Sequence, residues 1–117
     1  KELGGTVVVD SAEPLWPAIK DARIPEPRLV LDCIGGNLTG TVSAAGDSST
    51  LVIFGGLSLK PHMVPTGKYI YNDLRVRGFL LQRLIKQDTA SFLAAAEQVA
   101  VLLRANRLDV DADMRKF

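Results

Sequence analysis

The sequence predicts an α/β fold built on a parallel sheet. Three observations carry that reading. Short, almost wholly apolar runs alternate with helix-compatible segments, in the order strand, helix, strand, helix, strand. The central runs are apolar on both faces, as strands covered by helices on each side are. Glycine pairs, Gly35-Gly36 and Gly55-Gly56, close two of them. In such sheets ligands bind beyond the carboxyl ends of the strands, where a missing side chain lets backbone approach a ligand. With 117 residues the chain makes one domain at most.

The elements follow in order. Lys1-Glu2-Leu3-Gly4-Gly5 reads as a helix end with its glycine stop. With no start methionine and no basic-then-apolar leader, that suggests a chain cut from something longer. Thr6-Val7-Val8-Val9-Asp10 is a β-branched run and is expected to be a buried strand. Ser11 is the expected cap of a helix over 12–23. Glu13 falls in its first turn, and Pro14 and Pro17 sit near its start, where proline is tolerated. Pro25 and Pro27 mark a loop. Residues 28–34 form the second expected strand, with Cys33 packed inside it. Residues 37–46 are a weak helix, because Gly40 and the β-branched Thr39, Thr41 and Val42 lower its propensity. After a turn at 47–49, the third strand runs over 50–54. A polar, proline-bearing segment leads to a helical turn at 66–71. Residues 73–79 alternate apolar and basic side chains, the pattern of an edge strand with one solvated face. Asp88 or Thr89 caps the clearest helix, 89–105, whose apolar stripe is Phe92, Leu93, Ala96, Val99, Ala100 and Leu103. Asn106 is its stop.

Composition excludes several functions. Apolar residues make up 47% and charged residues 23% of the chain, a globular balance. Fourteen basic against 13 acidic side chains leave a net charge of +1, without the field of a nucleic-acid binder. The lone Cys33 rules out an internal disulfide, and Cys33 with the lone His62 is too little for a zinc cluster. No apolar run approaches the ~20 residues of a membrane helix.

Single motifs are weak. Gly35 to Gly40 imitates half a phosphate loop, but Thr41-Val42 stand where lysine and a hydroxyl residue belong. There is no G-x-G-x-x-G; in a dinucleotide-binding fold the pyrophosphate turn would lie upstream of Lys1. Cys33 has no histidine near it in sequence and reads as packing. His62 stands in a loop without local partners. Tyr69 and Tyr71 read as packing residues on a helical turn. Between 60 and 86, Lys60, Lys68, Arg75, Arg77, Arg83 and Lys86 are countered only by Asp73, which reads as a solvated surface, with a phosphate or coenzyme A contact as the alternative. Asn37-Leu38-Thr39 matches a glycosylation sequon by chance.

Three stretches taken together are more specific. They are Leu29-Val30-Leu31-Asp32-Cys33-Ile34-Gly35-Gly36, Thr50-Leu51-Val52-Ile53-Phe54-Gly55-Gly56-Leu57 and Tyr69-Ile70-Tyr71-Asn72-Asp73-Leu74-Arg75-Val76-Arg77-Gly78-Phe79. In this order and spacing they resemble the cofactor domain of medium-chain dehydrogenases/reductases, and within that superfamily the mitochondrial 2-enoyl thioester reductases. A quinone oxidoreductase is the close rival. The resemblance covers residues 1–107. It implies a partial Rossmann fold, a doubly wound parallel sheet lacking its first two strands, with the chain as the C-terminal part of a nucleotide-binding domain. The GroES-like catalytic domain, with the family's tyrosine, would lie outside it.

The resemblance also implies chemistry. Such enzymes reduce the double bond of trans-2-enoyl thioesters with NADPH, in fatty acid synthesis, and use no zinc. By resemblance Phe54, Gly55, Gly56 and Leu57 line the nicotinamide-side wall. Phe79, Leu80 and Leu81 form a second cofactor segment beside the acyl pocket, and the turn of Cys33, Gly35 and Gly36 lies near the nicotinamide ribose. At Leu80 the family often has a tryptophan, so this sequence departs from the pattern there. No catalytic residue is expected in this chain, which alone should be inactive and bind NADPH at best at millimolar concentration. A mitochondrial location is implied, otherwise a cytoplasmic one.

Sheets of this kind run in strand order 3-2-1-4-5-6. Residues 6–10 would be the third strand, left without its neighbour. Its backbone groups must then fray into solvent, pair with another chain or add to an existing edge. The family pairs subunits through its last strand, 74–79 here, so a homodimer through that edge is expected, with the helix at 89–105 covering one face. The alternative from a different class is a non-catalytic α/β interaction module that uses the basic segment and the open edge.

Overall fold

The computed structural model describes residues 4–10, 13 and 15–108. Its elements are α1 (Leu15–Asp21), β1 (Leu29–Asp32), α2 (Thr39–Ser43), β2 (Thr50–Ile53), α3 (Thr66–Asn72), β3 (Arg75–Gly78), α4 (Leu81–Gln87) and α5 (Thr89–Arg104). The chain divides into two units, the first ending at Phe79 and the second beginning at Leu80.

The first unit holds a three-stranded parallel sheet in the order β1-β2-β3. Leu29 pairs with Thr50 and Thr50 with Arg75, and the register runs on to Asp32, Ile53 and Gly78. All three strands therefore end together at one carboxyl edge. The order is that expected for the last three strands of the sheet. The core lies on one face, where Leu38, Val42, Leu51 and Leu74 are buried with Val30, Ile53 and Val64 packed against them. α2 is only five residues long, as its glycine and β-branched residues predict. One local turn and two tertiary bonds hold it. Asn37 Oδ1 accepts the Thr39 N–H and turns the chain into the helix. Lys68 Nζ, from α3, donates to the carbonyls of Ala45 at 3.1 Å and Ser43 at 3.5 Å, placing a cation at the helix C-terminus.

Several expectations fail here. Residues 6–10 form no strand. Among the described residues β1 is paired on one side only, and strand pairing is what would satisfy the backbone of 6–10. The expected helix over 12–23 is shorter, starting at Leu15. Glu13 precedes it, its N–H donating to the Asp10 carbonyl at 3.0 Å. Ser11, Ala12 and Pro14 lie outside the described residues, as do Lys1 to Leu3 and residues 109–117. β1 is not apolar-buried on both faces, since Leu29 and Leu31 are exposed. It also stops at Asp32, so Cys33 lies in the turn beyond it and is half-buried. Tyr69 and Tyr71 are exposed, Tyr71 at 83%, because α3 buries none of its residues.

In the second unit α4 was not expected. Leu81, Leu84 and Ile85 do stand at helical spacing, but no capping residue announces the helix. α5 matches its expected bounds closely, but Leu93, Val99 and Leu103 of its stripe are exposed and the helix buries none of its residues. Asp88 Oδ1 accepts the Ser91 N–H at 3.0 Å. At the other end Asn106 takes φ +52, Arg107 N–H reaches Leu102 O and Asn106 N–H reaches Leu103 O. That paired closure is a Schellman stop, and asparagine tolerates its left-handed residue.

Candidate functional site

The site forms where β1 and β2 end. Past Asp32 the chain makes a tight turn through Gly35 and Gly36, at φ +80 and +78. A side chain at either would be strained, so glycine is required. Past Ile53 the chain runs through Phe54, Gly55, Gly56 and Leu57 directly over the first turn. Leu57 N–H donates to Cys33 O at 3.1 Å, Ser58 N–H to Ile34 O at 2.8 Å and Met63 N–H to Gly36 O at 2.8 Å. These bonds need close contact, and Gly55 provides it. A Cβ there would lie 2.6 Å from Cys33 O and 3.0 Å from Cys33 Cα.

Gly56 differs. Nothing lies within 4 Å of where its Cβ would be, and its φ is not positive. The protein itself gives no steric reason for glycine there. Around it Phe54 is 50% and Leu57 73% exposed. An open apolar surface beside a side-chain-free stretch of backbone is what a flat ring can lie against.

Two residues missed in the sequence tie the turns together. Asp32 is 8% exposed. Its carboxylate accepts the N–H of Gly35 at 2.9 Å and of Ile34 at 3.3 Å. It also meets His62 Nε2 at 3.1 Å. His62 does stand in a loop without a local partner, as expected, but it has a distant one, 30 residues away in sequence. An aspartate just before a glycine turn signals such a side-chain-to-backbone turn. For His62 no local signal exists.

A cleft of about 370 Å³ opens beside the turn, lined by Val9, Asp10, Glu13, Asp32, Gly35 and Asn37 among others. Asp10, Glu13 and Asp32 bring negative charge to this cleft, which repels phosphate. The cleft is therefore a poor place for a phosphate.

The structure brings Cys33, Gly35, Gly36, Phe54, Gly55, Gly56 and Leu57 together within one pair of strand ends. Phe79 follows β3 at the same edge, its N–H donating to Ile53 O at 2.8 Å. Leu80 caps α4 and Leu81 is its first residue; both belong to the second unit. Among the described residues no group of three or more metal-ligating side chains gathers, and no helix is long and apolar enough to cross a membrane.

No family model matches the chain. Curated relatives do. The mitochondrial enoyl-[acyl-carrier-protein] reductase of Dictyostelium discoideum is 35% identical over 121 residues, covering 100% of this chain and 35% of the relative. That of Arabidopsis thaliana is 43% identical over 85 residues, covering 70% of this chain and 23% of the relative. The chain thus spans about a third or less of these relatives. Among solved structures, the mitochondrial 2-enoyl thioester reductase Etr1p/Etr2p heterodimer from Candida tropicalis superposes with a TM-score of 0.72 at 25% identity, over 82% of this chain and 26% of that one. The Etr1p complex with NADP and crotonyl-CoA gives the same values. A Mesorhizobium loti protein described as a putative NADPH:quinone reductase shares the fold, with a TM-score of 0.64 at 20% identity over 84% of this chain and 28% of that one. The homologues of this chain are mitochondrial enoyl-[acyl-carrier-protein] reductases of the medium-chain dehydrogenase/reductase superfamily, and it matches one part of their length.

Proposed function

We propose that this chain is the C-terminal part of the cofactor domain of a mitochondrial, NADPH-dependent 2-enoyl thioester reductase. The observation that carries the reading is the stapled pair of strand ends. Gly35-Gly36 and Phe54 to Leu57 present bare backbone and apolar surface at the carboxyl edge of a parallel sheet, where this fold class binds its ligands. The likeness to reductases, one of them solved with NADP and crotonyl-CoA, supports the choice of ligand.

In this reading NADPH supplies the hydride. The residues here bind and orient: Phe54 and Leu57 exclude water from one side of the ring, Gly56 lets it approach the backbone, and Asp32 holds the ribose-side turn. Phe79, Leu80 and Leu81 make the second cofactor segment. No residue of this chain is assigned a proton. The partner is a second copy of the protein, docked along the outer edge of β3, which is exposed throughout and pairs only with β2 among the described residues.

The test is oxidation of NADPH by the full reductase carrying this segment, with crotonyl-CoA as acceptor. Consumption is expected there, and none with the 117-residue chain alone. Its affinity for NADPH is expected at about millimolar, some −4 kcal/mol. Turnover by the isolated chain refutes the division of labour. Turnover of the full protein with a quinone but not with crotonyl-CoA moves the assignment to the quinone reductases.

A further inference from the structure

We propose that His62, acting through Asp32, is a positioning residue for the turn on which the nicotinamide ribose rests; the proposal builds on the reductase reading above. The turn has an intrinsic weakness. Two consecutive glycines at positive φ are allowed many conformations, and glycine loses more freedom on ordering than any other residue. A ligand that binds a loose turn must order it, which weakens binding. Something has to hold the turn beforehand.

Asp32 does so from one side, with two turn N–H groups on its carboxylate. His62 completes the arrangement. Its Nε2 takes up Asp32 Oδ2, the same oxygen that Gly35 N–H uses. The imidazole lies over Gly35, with Nε2 3.0 Å and Cε1 3.1 Å from where a Cβ would stand. Ser58 Oγ closes in from the same loop, 3.3 Å from that point. The ring is thus both a hydrogen-bond partner for the carboxylate and a lid on the glycine. It joins the first turn to the loop after β2 through side chains, beside the backbone bonds from Leu57, Ser58 and Met63. The contact also fixes the neutral ring's tautomer: Nε2 carries the proton that Asp32 accepts, and Nδ1 is left as an acceptor.

A residue that preorganises the cofactor turn should act on cofactor binding and leave the chemical step alone. In the full reductase, His62→Ala is expected to raise KM for NADPH five- to tenfold with kcat within twofold. His62→Gln, which keeps an N–H donor, is expected to recover most of that loss. Asp32→Asn should weaken NADPH in the same direction, and adding His62→Ala to it should cost less than His62→Ala costs in the wild type, because both act through one contact. An unchanged KM in His62→Ala, an equal fall in kcat, a glutamine variant as impaired as alanine, or fully multiplicative losses in the double variant would each overturn the proposal. These arms are read against a wild type that oxidises NADPH with crotonyl-CoA. If the wild type does not, the reductase reading itself falls and takes this proposal with it. Should His62→Ala fail to melt cooperatively, the glutamine and asparagine variants decide the matter.

Discussion

Gly55 and Gly56 are neighbours with opposite expected responses to alanine. Optimal carbon contacts lie at about 3.5–4.0 Å. A Cβ on Gly55 would sit 2.6 Å from Cys33 O, 3.0 Å from its Cα and 3.1 Å from its Cβ, all at the base of the other turn. Nothing there is a flexible side-chain end, so the two strand ends must part. Overpacking of this kind costs about 1–3 kcal/mol. Parting the ends also breaks the Leu57–Cys33 hydrogen bond, about 1 kcal/mol. Alanine returns about 0.4–1 kcal/mol by stiffening the unfolded chain. The net loss is roughly 1–3.6 kcal/mol. For a unit of this size, at about 4–8 °C per kcal/mol, that lowers Tm by roughly 4–29 °C. Gly56→Ala meets nothing within 4 Å and keeps an ordinary φ, so its stability should hold or rise by about 0.4–1 kcal/mol. Thermal melts of the two variants beside the wild type make the comparison. In the full reductase Gly56→Ala should nonetheless raise KM for NADPH, because its methyl would fill the space the ring uses. Equal melting of Gly55→Ala and wild type would refute the steric argument. A Gly56→Ala enzyme with normal cofactor affinity would refute the claim that this backbone faces the ring.

Other outcomes follow from the same structure. Leu51 is fully buried at the centre of the core, so Leu51→Ala should cost about 2–5 kcal/mol, read as a lower urea midpoint. Arg75 N–H donates to Ser49 O, just before β2, and Phe79 N–H to Ile53 O in it, so in the alternation of a strand the Val76 N–H points outward. Val76→Pro should therefore abolish dimerisation in sedimentation runs while circular dichroism stays unchanged; a persistent dimer would exclude this edge as the interface. Hydrogen bonding from Ser91, its side chain first and its backbone N–H second, holds the Asp88 carboxyl below its ordinary 3.8. A folded pKa below the unfolded one stabilises the charged, folded form above 3.8 and is lost as pH falls through the lowered value. The α5 signal at 222 nm should thus fall on acidification through that range, and Asp88→Ala should flatten the transition.

The sequence was most legible where local rules suffice. β2 (Thr50–Ile53) could be read to within a residue, as 50–54, because five apolar or β-branched residues end in a glycine pair. α5 could be read to within a residue because Asp88 and Asn106 punctuate an apolar stripe. Legibility failed where the deciding partner is distant. Residues 6–10 look like a strand by composition, yet a strand exists only as a pair, and none of the described strands takes them up. Leu29 and Leu31 announce a fully covered strand, but burial is settled by whatever packs on them, not by their own hydrophobicity. α4 was missed for a different reason: it shares Asp88 with α5, so one residue ends a helix and starts the next.

The site shows the same division. The glycine pairs were visible as a theme, but not that the four glycines do different things. Gly35 and Gly36 are needed for their own backbone angles, Gly55 for its neighbour's carbonyl, and Gly56 for no contact within the protein. That last case is the informative one. A glycine explained by φ or by packing would stand in any fold that turns this way, and says nothing about ligands. A glycine that neither explains, between exposed Phe54 and Leu57 at the carboxyl edge of a parallel sheet, has its space left open toward the outside. Gly56 thus adds to the stapled strand ends a position that the turn itself does not require.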